Sequence, residues 1–256
     1  MHPIQQLREK YGVGDQLAER PVFEPTPEQQ ENERQYFARL RQDKEPYIPP
    51  KIDLYAQTMI YDDALKRLRE MFKTMLINEQ QIRRDINFKV NYSDAQKTVV
   101  YGLLRYFTNN PESPYPLHKG IYLYGPCGTG KTRLMELFQK LTAGTTKEFT
   151  NANLTKEIQN AKDHPEFDII GTLRQGNKCL DEFGFGNDRL MDHGNETRVY
   201  DAVIYERHLR ARYGKLTHII SNVPMANAGK FIDFRNVDRF GEIMTEVLFT
   251  GETMRK

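Results

Sequence analysis

The segment Gly125-Pro126-Cys127-Gly128-Thr129-Gly130-Lys131-Thr132 spaces glycines, a lysine and a hydroxyl as a phosphate-binding loop requires. Glycines let consecutive backbone N–H groups converge on phosphate oxygens, where a Cβ would obstruct the approach. Lys131 would reach the β- and γ-phosphates, and the Thr132 hydroxyl would ligate Mg²⁺. ATP and Mg²⁺ are therefore the expected ligands. Cys127 reads as a small filler in the loop and not as a nucleophile.

A phosphate loop alone does not name a reaction. About 50 residues downstream, Lys178-Cys179-Leu180-Asp181-Glu182-Phe183-Gly184 puts paired acids at the end of an apolar run. Asp181 would hold Mg²⁺ directly or through water, and Glu182 would polarise an attacking water. Successive side chains of a strand point to opposite faces, so both acids can serve one site only if the strand ends or bends near Asp181. Asn222, after Thr217-His218-Ile219-Ile220-Ser221, is placed to touch the γ-phosphate or orient water, with Ser221 as second choice. Arg239, in Asp238-Arg239-Phe240, could neutralise transition-state charge in a neighbouring subunit's site. A salt bridge to Asp238 or another nearby acid explains it equally well.

These residues need elements to hold them. Residues 121–124 form an apolar run of the kind a buried parallel strand shows, and Arg133–Leu141 reads as an amphipathic helix. Strand, glycine-rich turn and helix are the context the loop needs. Ser93 with Gln96 fits a capping box ahead of an apolar face of Val99, Val100, Leu103, Leu104 and Phe107. Strands are expected over 148–150, from Cys179, over 217–221 and over 243–249, and helices over 154–161 and 199–212. Strands alternating with helices argue an α/β fold with a mainly parallel sheet.

Upstream, residues 1–50 are polar and punctuated by prolines, with a helix expected from Pro27 to about Gln42. Leu65, Leu68, Phe72, Met75 and Leu76 recur at helical spacing, and Lys66, Arg67, Arg69 and Lys73 read as its solvated face. The chain thus divides into a polar, helical N-terminal region, 1–90, and a nucleotide-binding domain, 91–256.

Net charge is +2, which gives no global nucleic-acid footprint. Arg207, Arg210, Arg212 and Lys215 could form a local basic strip, but their spacing suits an ordinary solvated helix better. The histidines show no metal spacing, and Cys127 and Cys179 are too few for an all-cysteine zinc site. No run of apolar residues approaches a membrane span. With no signal-peptide layout and no disulfide pattern, a cytoplasmic location is expected.

Together the segments from about Asn87 to Arg255 resemble the AAA+ ATPases of the DnaC-like helicase-loader group, which includes the ATPase subunits of IstB-type transposition systems. The resemblance rests on NFKVNYSDAQ, YLYGPCGTGKT, CLDEFG, DHGNETRVYDAVIYERH, THIISNVP and DRFGEIMTEVLFTGETMR. It looks closest to DnaC-like proteins of phages and mobile elements of Bacteroidetes. There the Walker B run is followed by a tyrosine- or histidine-glycine-asparagine stretch, here His193-Gly194-Asn195. The resemblance implies a P-loop NTPase core of AAA+ type that lacks most of the C-terminal lid and carries a helical N-terminal extension. Lys131 and Thr132 match the Walker A lysine and threonine, Asp181 the Walker B aspartate, Asn222 sensor 1 and Arg239 the arginine finger. Glu182 stands where many loaders carry a second aspartate. Arg255 is given no role. The implied function is loading of a replicative helicase, with ATP switching partner and single-stranded DNA binding and ordering homo-oligomers. Residues 27–88 are then the matching helicase-binding region. The alternative is a transposase-helper ATPase acting on duplex DNA.

Overall fold

The computed structural model describes residues 59–164, 167–185, 189–192 and 195–253; the side chains of residues 191–197 and 234 are outside this description. The chain divides into units of residues 1–50 and 51–256, and every described residue belongs to the second. The helix expected over 27–42, His193, Gly194 and Arg255 lie outside the described residues.

The elements run α1 (Tyr61–Arg83), α2 (Asp94–Phe107), β1 (Gly120–Tyr124), α3 (Lys131–Leu141), β2 (Thr150–Asn153), α4 (Leu154–Asp163), α5 (Ile169–Arg174) and β3 (Lys178–Phe183). There follow β4 (Arg189–Asp192), β5 (Asn195–Arg198), α6 (Val199–Ala211), β6 (Thr217–Ser221), a 3-10 helix (Met225–Lys230), α7 (Phe234–Ile243) and β7 (Met244–Leu248). Five strands form one sheet in the order β2-β3-β6-β1-β7, every neighbouring pair parallel. Parallel strands need crossovers, and the helices supply them on both faces.

Period-two alternation sorts the strand residues between two cores. Ile121, Leu123, Cys179, Ile220 and Val247 pack on one side with α1, α2 and α3. Tyr122, Leu180 and Ile219 pack on the other with α4, α5, α6 and α7. This is why the strands read as continuous apolar runs. The expected α/β architecture is the one observed: a mainly parallel sheet with flanking helices and a glycine-rich turn between β1 and α3. Among the described residues no helix follows β7.

The helix ends follow local chemistry. The Gln96 amide N–H donates to Ser93 Oγ at 3.3 Å, and the Ser93 N–H donates to Gln96 Oε1 at 3.0 Å, closing the expected capping box. α1 carries Asp62 and Asp63 in its first turn, where they favour the positive end of the helix dipole. It ends at Arg84 in the left-handed conformation. α1 buries Ala64 and Leu68 against α2 and α3. The helix that the sequence groups with the N-terminal region therefore shares one core with α2, β1 and α3.

Several expectations are corrected. β2 begins at Thr150 rather than Glu148, because Glu148 belongs to a turn in which its N–H donates to the Thr145 carbonyl. The β4–β5 hairpin, α5 and the 3-10 helix had no counterpart in the sequence reading. Arg207 is not part of a solvated strip but fully buried. Its guanidinium donates to Thr217 Oγ1 (2.7 Å) and to the carbonyls of Arg174 (3.0 Å), Gly176 (2.9 Å) and Leu216 (2.6 Å). It ties α5, α6 and the start of β6 together through carbonyls at their ends.

His218 is also fully buried, within ring contacts of Tyr106, Phe107 and Phe149. Its Nδ1 accepts the Ile121 amide N–H at 3.1 Å, which fixes Nε2 as the protonated nitrogen. That N–H has no oxygen or nitrogen partner, and aromatic faces are its available acceptors. Burial first, then the charges of Lys147 and Arg207, pushes the imidazole down to about 3. Below its unfolded value of 6.5, the unfolded chain binds a proton that the native chain refuses. Stability supplied by neutral His218 is thus complete above pH 6.5 and is lost as pH falls toward 3, by on the order of 4 kcal/mol. Urea midpoints measured from pH 7 to pH 4 should fall more steeply for the wild type than for His218→Leu, and parallel slopes would refute the assignment.

Candidate nucleotide site

A cleft of about 730 Å³ opens at the carboxyl ends of β1, β3 and β6, lined by Cys127, Gly128, Gly130, Lys131, Thr132, Asp181, Glu182 and Asn222. Open α/β sheets bind ligands at this end of their strands. One contiguous loop and residues from two further strands are thus brought to one place.

The phosphate loop leaves β1 through Gly125, at φ +151°, where a Cβ would stand 2.2 Å from the Phe249 carbonyl oxygen. Only glycine can pass there. Gly128 and Gly130 take φ of +83° and +93°, the left-handed turns that aim successive N–H groups inward. Thr129 is buried and closes the loop on itself, its Oγ1 donating to the Pro126 carbonyl at 3.0 Å. α3 starts at Lys131 with no side-chain cap from Gly130, so its first N–H groups face the cleft with the helix dipole behind them. Pro126 and Cys127 are exposed at the rim. Cys127 is therefore not packing filler.

Lys131 is 5% exposed, with its Nζ donating to the carbonyls of Gly125 (2.7 Å) and Pro126 (2.8 Å) and to Asn222 Oδ1 (3.0 Å). Asn222 thus reaches Lys131 directly. Ser221, the second choice, is committed elsewhere: its Oγ donates to the Phe183 carbonyl and accepts the Val223 N–H.

The bend that two adjacent acids require is present. Pairing of β3 with β6 shifts register between Leu180 and Phe183, and Glu182 sits in the left-handed region at φ +60°. This bulge turns Asp181 and Glu182 toward the same cleft. The Glu182 N–H donates to Asp181 Oδ1 at 2.8 Å, which fixes the nearer carboxylate. Asp181 is 9% exposed, and burial raises its pKa, aided by the charges of Glu182 and Glu136 and opposed by hydrogen bonds from the Thr132 hydroxyl and the Glu182 N–H. A cation bound here would reverse that shift.

The donor set suits Mg²⁺. Thr132 and Asp181 offer hard oxygens in mutual contact, and Mg²⁺ takes one or two protein oxygens and completes its shell with phosphates and water. Among the described residues no group of three or more ligating side chains could hold a metal without such help.

Arg239 lies on α7, outside this lining. Its Nη1 donates to Asn236 Oδ1 at 2.6 Å, and its guanidinium lies over the Tyr205 ring. The alternative salt bridge to Asp238 is not formed. One wall escaped the sequence reading: Met75, Glu79 and Arg83 of α1, with Phe88, Val90 and Tyr92 after it, also line the cleft. Glu79 pairs with Arg133, the residue following the phosphate loop, at 3.2 Å. A pair so far apart in sequence leaves no local signal.

No family model matches the chain, and no curated protein matches it. Solved structures similar to it include one described as a primosome component from Streptococcus pyogenes serotype M3, 19% identical with a TM-score of 0.49 over 65% of this chain and 85% of that one. Another, DnaI, is 17% identical with a TM-score of 0.48 over 67% of this chain and 87% of that one. The DnaC helicase loader is 18% identical with a TM-score of 0.46 over 64% of this chain and 95% of that one. The fold stands on the chain's own features: a five-stranded parallel sheet and a glycine-rich turn that leads from β1 into α3.

Proposed function

We propose that this chain is an ATPase that acts as a replicative-helicase loader of a phage or mobile element. The observation that carries the reading is the convergence of Lys131, Thr132, Asp181, Glu182 and Asn222 on one cleft. Bound Mg²⁺ would supply charge stabilisation between the phosphates. Gly125 to Thr132 would cradle ATP, with Lys131 exchanging its loop carbonyls for phosphate oxygens. Asp181 and Thr132 would hold the metal through oxygens already in contact. Glu182 would take a proton from the attacking water, and Asn222 would orient the γ-phosphate. Arg239, outside its own chain's cleft, would serve the site of a neighbouring copy in a homo-oligomer formed on ATP and DNA.

Residues 27–88 are the proposed helicase-binding region, with single-stranded DNA the nucleic-acid ligand. No described helix is long and apolar enough to cross a membrane. The transposase-helper reading shares the same site and differs in preferring duplex DNA.

The test is nucleotide-dependent binding to a purified replicative helicase and to single- and double-stranded DNA, with Lys131→Ala alongside. Wild type should bind the helicase in an ATP-dependent manner. Lys131→Ala, which removes an ammonium aimed at the phosphates, should bind ATP at least about 10-fold more weakly. Unchanged nucleotide affinity in that variant would sink the site; duplex binding without helicase would move the protein to the transposition class.

A further inference from the structure

Arg239 is held in a manner that is unusual for a surface arginine. A guanidinium beside acids ordinarily pairs with one of them, yet among the described residues Arg239 forms no ion pair. None of the four carboxylates on its two helices pairs with it: Glu206 and Asp238 form no ion pair with Arg239, and Asp201 and Glu242 are engaged elsewhere. Asp201 on α6 accepts from Asn236 Nδ2 at 2.7 Å and from the Asp233 N–H at 2.6 Å. Its other oxygen lies 3.7 Å from Arg198 Nη1. Glu242 on α7 is 2.7 Å from His208 Nε2.

What holds Arg239 is neutral. Asn236 Oδ1 accepts its Nη1 at 2.6 Å, and the Tyr205 ring centroid lies 4.9 Å from Cζ. Asn236 is 5% exposed, and its amide nitrogen is anchored on both the carboxylate and the carbonyl of Asp201. The acceptor is therefore fixed before the arginine arrives. A π face and an amide oxygen fix direction without a counter-charge. The remaining guanidinium N–H groups meet no acceptor among the described residues, and none is a buried orphan. They stay available for the forked contact that arginine makes with phosphate.

We infer that Tyr205 and Asn236 are positioning residues that hold the Arg239 guanidinium in a fixed direction with its charge unpaired, ready for the phosphates bound by a second copy of this chain. The inference rests on the proposed role of Arg239 and goes beyond it. Asp201 orients Asn236, Asn236 and Tyr205 orient Arg239, and no carboxylate of α6 or α7 forms an ion pair that would neutralise it.

The test reads ATP turnover of the full chain at concentrations where it assembles. Tyr205 is 44% exposed, so its substitution leaves the core intact. Tyr205→Phe keeps the ring and should match wild type. Tyr205→Ala should lower turnover about 5- to 30-fold with nucleotide affinity unchanged. Tyr205→Glu should lower it further, because a carboxylate then neutralises the guanidinium. Mixing Tyr205→Ala with Lys131→Ala should restore turnover, since one variant keeps an intact site and the other a well-held arginine. Loss in Tyr205→Ala that mixing does not relieve would mark a merely structural role and overturn the inference. Full turnover in Tyr205→Ala and Tyr205→Glu, with loss in Arg239→Ala, would overturn the positioning claim alone. Full turnover in Arg239→Ala would remove the reading beneath it as well.

Discussion

Glu182→Gln is expected to bind ATP with nearly wild-type affinity and to hydrolyse it about 10²- to 10⁴-fold more slowly, the range for loss of a positioned general base. The substitution keeps the side-chain length and removes the proton acceptor. It also spares the local geometry, because the hydrogen bond to Asp181 comes from the Glu182 backbone N–H and not from its side chain. The left-handed conformation at φ +60° is tolerated better by an amide of this size than by a β-branched residue, so the bulge should persist. Phosphate release under saturating ATP gives the rate, and equilibrium binding of a labelled nucleotide gives the affinity. Turnover within a factor of two of wild type would remove Glu182 from the chemistry. Loss of binding together with turnover would mean that the bulge had collapsed.

Arg239→Ala is expected to lower turnover about 10³-fold, the lower end of the range for a guanidinium that stabilises phosphoryl-transfer charge. Nucleotide affinity of the isolated chain should be unaffected, because Arg239 is outside the cleft of its own chain. The rate of the wild type should therefore rise with protein concentration, and that of Arg239→Ala should not. Mixing Arg239→Ala with Lys131→Ala should recover part of the lost rate at interfaces that combine an intact loop with an intact arginine. Equal loss at every concentration, with no recovery on mixing, would place Arg239 outside any interface role.

Legibility of this chain in its sequence depended on whether partners were local. The phosphate loop is contiguous, and its glycines, lysine and threonine are needed whatever surrounds them, so the turn after β1 and the start of α3 were foreseen. The capping box of Ser93 and Gln96 was equally local. The bend at Asp181 and Glu182 was legible for another reason: two neighbouring acids cannot share a site on a regular strand, so the chemistry demanded the bulge. Arg207 shows the opposite case. Its spacing among Arg210, Arg212 and Lys215 suggests a solvated face, but its acceptors are carbonyls of residues 174, 176 and 216, which only the folded chain brings together. The hold on Arg239 was hidden in the same way, since Tyr205 meets it across the α6–α7 contact. The hairpin β4–β5 is too short and too polar to announce itself by periodicity.

The packing of α1 decides where this chain can be cut. A fragment beginning at Asn91 would contain every residue of the phosphate loop and the paired acids, yet it would leave Ala64 and Leu68 behind. The apolar faces of α2 and α3 that cover them would then meet water. It would also lose Glu79, the partner of Arg133, and with Met75 and Arg83 one side of the cleft. For proteolysis, fusion or fragment expression, the cut must fall ahead of Met59, which packs on the same core just before the first described helix begins.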